Sequence, residues 1–142
     1  MLSFVVGSGT RVAVDARFVE EVVDVGPLTP LPRSPRHLDG LAQVRGRPVP
    51  VLDLARFFAL RGEVDAIDAA PRLVVVRASA MEVALVARSV LVDDVAPDAM
   101  RRSGIAYGER LRPHVRAETP TRRGYAVLLD LPGVLAAARV RE

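Results

Sequence analysis

The chain has 142 residues, half of them hydrophobic, enough for one ordinary domain or two very small ones sharing a core. Its 20 basic residues, all arginine, face 17 acidic ones, and a net charge of +3 with interspersed acids marks out no dedicated nucleic-acid face. Cysteine is absent, which excludes disulfide and thiolate chemistry, and no apolar run approaches the roughly 18 residues of a membrane helix.

From the N-terminus, "LSFVV" and "RVAVDA" predict a hairpin around the glycines of "GSGT". The opening stretch has neither the basic start nor the apolar length of a secretory signal, so a cytoplasmic protein is expected. "FVEEVVDV" is ambiguous: its β-branched residues favour strand, its glutamate pair allows helix. "PLTPLPRSPRHLDG" holds too many prolines for a sheet interior, and "SPRHL" allows one helical turn with Ser34 as N-cap and Pro35 at the first helical position. "LAQVRG" and "RPVPVLD" read as two strands joined at Gly46–Arg47, with Pro48 and Pro50 marking an edge or a bulge. "RLVVVRA" and "MEVALVA" predict a hairpin around Ser79–Ala80, followed by a separate strand, "SVLVDDV". Residues 97–124 are poorly patterned and read as a long loop rich in arginine. "YAVLLD" restores a strand, and "LPGVLAAARV" closes the chain as a helix.

One phrase occurs twice. "PVPVLDLARFFAL" and "YAVLLDLPGVLAA" each run from a β-rich segment through Leu-Asp-Leu into an apolar helix, 77 residues apart. An aspartate after a strand is a favoured N-cap, so Asp53 and Asp130 are expected to cap two short helices. A catalytic dyad of the two carboxylates would need a third group to assist it, and none is present. His37 and His114 have no neighbouring ligand at metal-binding spacing and read as surface histidines. There is no nucleophile elbow, and "GSG" precedes a strand and so cannot cradle phosphate. No metal, cofactor or enzymatic activity is expected. The residues describe a binding module.

The segment "VAVDARFVEEVVDVGPLTPLPRSPRHLDGLAQVRGRPVPVLDLARFF" resembles the CheW family, the adaptors that couple bacterial chemoreceptors to the histidine kinase CheA. The matching positions are Val14-Asp15, Val19 to Val22, the prolines from Pro30 to Pro35, and Gly40 through Leu54, with Gln43 where the family has Asn. The closing "VLLDLPGVL" fits the family's end. The second half departs from the pattern, with Ala84 in place of Gly and Arg88 in place of Asp.

The resemblance implies a mainly β fold of two small five-stranded barrels of SH3-like or oligonucleotide-binding-like type, packed side by side. The whole chain, 1–142, would be one CheW-like domain, its two subdomains dividing near 62–72 with strand exchange between them. It further implies an adaptor binding a chemoreceptor cytoplasmic tip and a CheA-type kinase regulatory domain, recruited to receptor arrays without inserting into the membrane and without binding nucleic acid. On this reading Glu21 and Arg45 form an ion pair that fixes the proline-rich loop and edges the receptor site. Val19 and Val22, with Val86 and Val90, line an apolar receptor groove between the barrels, and the surface from Gly40 to Leu54 binds a partner. The surface from 84 to 124 is expected not to bind a standard partner of the family. The alternatives are a related scaffold in a separate pathway without full kinase binding, a small-ligand barrel with an enclosed cavity, and a basic oligonucleotide-binding barrel.

Overall fold

A computed structural model describes residues 1–7, 9–33, 35–60, 70–93 and 107–138. The described chain is mainly β. In order it forms β1 (Leu2–Val6), β2 (Thr10–Val14), a 3-10 turn (Ala16–Phe18), β3 (Val19–Asp24), β4 (Leu28–Thr29), β5 (Leu38–Val44) and β6 (Arg47–Leu52). After α1 (Leu54–Phe57) come β7 (Arg72–Ala78), β8 (Met81–Val92), a 3-10 turn (Arg112–His114), β9 (Val115–Thr121), β10 (Gly124–Leu129) and α2 (Leu131–Ala138). The ambiguous "FVEEVVDV" is strand, because its register lays Val22 and Val23 against Val74 and Leu73 of β7.

Two differences from the sequence reading have physical causes. "SVLVDDV" is not a separate strand: β8 runs unbroken into it as far as Val92 and changes partners partway, pairing with β7 and β6 up to Ala87 and with β1 from Arg88. Within the expected long loop lies β9, "VRAETPT". It shows no apolar alternation because the residues it buries most fully, Glu118 and Thr119, are polar, and its ladder bonds to β10 define it.

The strands form one path, β4-β5-β6-β8-β1-β2-β10-β9, with β3 reached through β7, and among the described residues this path does not close on itself. Two parallel junctions hold it together. Val51 and Leu52 of β6 lie beside Ala84 and Leu85 of β8, while Val127 and Leu128 of β10 lie beside Val12 and Ala13 of β2. Each half of the chain thus lends its leading hairpin to strands of the other half. The repeat is visible here as well: β5 and β6 recur 77 residues later as β9 and β10.

Both helices are capped as their aspartates predict. Asp53 Oδ1 accepts from the Arg56 amide at 3.2 Å, and Asp130 Oδ1 accepts from the Gly133 amide at 3.4 Å. Each aspartate also donates its own amide to a histidine carbonyl, Asp53 to His37 and Asp130 to His114. The histidines are not surface residues. Both are half-buried, His37 edge-on to Phe57 at 5.2 Å and His114 near Phe57 and Phe58 at 5.9 and 6.0 Å. They are the repeat's own residues, each placed before its strand pair. Ser34 lies outside the described residues; from Pro35 the chain makes a single turn, closed by the Leu38 amide on the Pro35 carbonyl.

Burial follows the two faces of each sheet. The main core gathers Leu2, Phe4, Val12 and Val14 with Val74, Val76, Leu85, Leu129 and the apolar faces of both helices. A second core, on the other face of β5–β8, holds Val44, Val49, Val51, Leu73, Val75 and Ala84. Shared burial of this kind is what two very small strand sets need for stability.

Candidate functional site

Two β-bulges decide which side chains meet. In β3 the partners step from Val19↔Val76 to Glu21↔Val75, so Glu20 is an extra residue. Val19 and Val22 are three apart, and plain alternation would set them on opposite faces. The bulge restores both to the main core's face, where they are half-buried. It also frees adjacent Glu20 and Glu21 to meet different arginines.

Glu21 accepts from Arg45 Nε at 2.8 Å, the expected pair. Arg45 is exposed while the Glu21 side chain is 17% exposed. Arg45 and Gly46 both have positive φ, 51° and 79°, and form the two-residue turn from β5 to β6 one position earlier than the sequence predicts. Gly40, expected at the partner-binding surface, is buried. Its φ is +136°, and a Cβ there would stand 2.5 Å from the Thr29 carbonyl oxygen, so glycine lets β4 close on β5.

Behind the Glu21–Arg45 pair lies a ring of alternating charges. Glu82, 5% exposed, accepts from Arg47 Nε at 3.1 Å and Nη2 at 2.8 Å, and from Arg77 Nη2 at 3.1 Å. Arg77 Nε also donates to Glu20 at 2.6 Å, so the ring ties the β3 bulge to β6, β7 and β8. Charge assistance and bidentate geometry make such contacts strong, and leaving one partner alone in a buried site is costly.

The second bulge lies in β8. Between Ser3↔Leu91 and Val5↔Arg88, β8 uses one residue more than β1, and Ser89 has φ +50°. Val86 and Val90, four apart, would share a face in a regular strand. The bulge separates them, so Val86 packs on the second core and Val90 on the main one. The expected four-valine groove therefore contains Val19, Val22 and Val90 on one face, without Val86. None of the four is fully buried.

Arg11 holds this bulge as Glu82 holds the other. Only 9% exposed, it donates Nη1 to Ser3 Oγ at 3.1 Å and to the Ser89 carbonyl at 2.9 Å, and Nη2 to Ser89 Oγ at 2.8 Å. Burial pulls its pKa below the ordinary arginine value, and Arg123 acts in the same direction against Asp93. Sequence reasoning missed the buried charges at both bulges, Arg11 and Glu82. A signal existed: "RVAV" at 11–14 and "EVAL" at 82–85 each place one charge at the head of an apolar strand.

Of the two departures in the second half, Ala84 is fully buried in the second core and lies on no docking surface. Arg88 is half-buried beside the bulge. Residues 94–106, within the expected arginine-rich loop, lie outside the described residues. Among the described residues no helix is long and apolar enough to cross a membrane.

Comparison with known proteins agrees with this geometry. The CheW-like domain model matches residues 1–139. Protein FrzA of Myxococcus xanthus is 47% identical over 53 residues, 37% of this chain, and the match spans about a third (32%) of that protein's length. In fold the chain is similar to the crystal structure of the scaffolding protein TtCheW from Thermoanaerobacter tengcongensis, with a TM-score of 0.75 at 20% identity, covering 94% of this chain and 90% of that one. The chain belongs to the CheW-like domain family.

Proposed function

We propose that this protein is an adaptor that couples a chemoreceptor's cytoplasmic tip to a CheA-type histidine kinase in chemotaxis or motility signalling. The observation that carries the reading is the family match across residues 1–139, which includes the Glu21–Arg45 edge and the half-buried Val19, Val22 and Val90. The mechanism is positional: by holding both partners, the adaptor lets the receptor's state bias the kinase's conformational equilibrium. The two strand sets act as subdomains with exchanged hairpins, each presenting its own surface, and the protein works in the cytoplasm at receptor arrays.

The Glu21–Arg45 pair is a recognition feature rather than a stabilising one, since an exposed pair contributes only about 0–1 kcal/mol. Arg45→Glu should abolish binding of the chemoreceptor tip in a pull-down with purified proteins, and adding Glu21→Arg should restore part of it. Unchanged binding by Arg45→Glu would remove that edge from the interface. A second reading, a scaffold in a separate pathway without full kinase binding, draws its support from Arg88. It predicts that receptor-tip binding persists while kinase binding is weak and is recovered by Arg88→Asp.

A further inference from the structure

An open cleft of about 440 Å³ lies where β8 leaves one strand set for the other, and its described walls are Ala70, Arg72, Ser89 and Val90. Its chemistry is set by the bulge. Ser89 Oγ accepts a hydrogen bond from Arg11, so the hydroxyl's single proton is left to donate outward. A charged donor behind a hydroxyl strengthens that outward bond. Across the cleft, Arg72 is half-exposed, and its Nε stands 3.8 Å from the carboxylate of Asp24, which is itself 91% exposed, too far for a hydrogen bond. Arg11, 9% exposed, makes its hydrogen bonds among the described residues to two hydroxyls and a carbonyl, and the Asp93 carboxylate acts on it through charge without a hydrogen bond there. The cleft therefore offers a hydroxyl donor backed by the buried Arg11 and a loosely held guanidinium, beside the apolar surface of Val90.

We propose that this cleft clasps one carboxylate side chain of the partner protein, an aspartate or glutamate on an otherwise apolar segment, between Arg72 and the Ser89 hydroxyl. The inference rests on the adaptor reading and deepens it: the apolar face of Val19, Val22 and Val90 supplies contact area, and the clasp selects a segment with an acid at one position. Charge complementarity favours an acid over a neutral or basic residue, because a cation there would meet the Arg72 guanidinium and a hydroxyl backed by Arg11.

A purified chemoreceptor-tip fragment serves as the probe, with affinity measured by calorimetry and folding checked by thermal melts. Arg72 lies on the surface, so Arg72→Met keeps its stem and should melt normally while weakening tip binding by about tenfold or more, the scale of a hydrogen bond to a charged group. Ser89→Ala should weaken it in the same direction. Arg72→Glu should abolish binding, and one acid-to-arginine replacement on the tip should recover it where others do not. Full-strength binding by Arg72→Met, with binding lost in Val19→Asp, would overturn the clasp and leave the adaptor reading standing. Full-strength binding by both variants would overturn the receptor groove and the clasp together. Loss in Arg72→Met that no single acid on the tip reproduces would reduce Arg72 to general steering and reject the clasp. Succinate binding to the protein alone, lost in Arg72→Met while the tip binds unaffected, would assign the cleft to a small molecule and equally reject it.

Discussion

Burial of the Glu82 carboxylate would by itself raise its pKa, but the hydrogen bonds from Arg47 and the charges of Arg47 and Arg77 hold it below the ordinary glutamate value of 4.5. A carboxylate depressed in the folded state contributes stability that is fully present above the unfolded pKa and is lost as pH falls through the folded one. Wild-type protein should therefore lose stability more steeply below about pH 4.5 than Glu82→Gln does, as urea melts across an acid series would show. Parallel acid profiles would mean that Glu82 titrates alike in both states. At Gly40 the argument is steric. An alanine Cβ would stand 2.5 Å from the Thr29 carbonyl oxygen at a φ of +136°. Gly40→Ala should cost about 2 kcal/mol or more in urea unfolding and loosen β4 from β5. A loss below about half a kcal/mol would show that the proline-rich segment shifts freely to make room.

At the scale of elements, two turns use residues that fit their backbone poorly. α1 ends in a Schellman arrangement, with the Ala59 amide on the Arg56 carbonyl and the Leu60 amide on the Ala55 carbonyl, and Ala59 sits at φ +54°. The β7–β8 turn places Ser79 and Ala80 at φ 51° and 63°. An L-residue in the left-handed region costs about 1 kcal/mol or more. Ala59→Gly, and separately Ser79-Ala80→Asn-Gly, should each raise the unfolding free energy by about 1 kcal/mol, measured as a shift in urea midpoint at constant slope. A lower midpoint would mean that these side chains make contacts worth more than the strain they impose.

Elements also show how far the sequence reaches. The Ser79–Ala80 hairpin, both aspartate caps and the strand-Asp-helix repeat were legible, because period-two patterning and capping chemistry act locally, while the Glu21–Arg45 pair came from the family resemblance. Strand β9 was not, because Val115–Thr121 is held by its ladder to β10 and contains Pro120. The two bulges were not legible either. Nothing local in "VEEVV" or "ARSVLV" marks an extra residue; the register of β7 and β1 across the sheet defines it. That is why Val86 and Val90 were expected side by side and stand apart.

For the whole molecule, the strand path joins the two halves through hairpins lent in both directions, so neither half carries a complete strand set of its own. Such a body couples its two ends through one shared core, which suits a protein whose task is to hold two partners in fixed relation. The central claim is therefore bridging, and it demands that both partners bind at once. Sedimentation velocity on a mixture of this protein, a chemoreceptor-tip fragment and a CheA-type regulatory domain measures that directly. Bridging predicts a ternary species that forms with wild-type protein and loses the receptor component with Arg45→Glu and with Val19→Asp. Two binary complexes that exclude one another, or a ternary species indifferent to both substitutions, would contradict it.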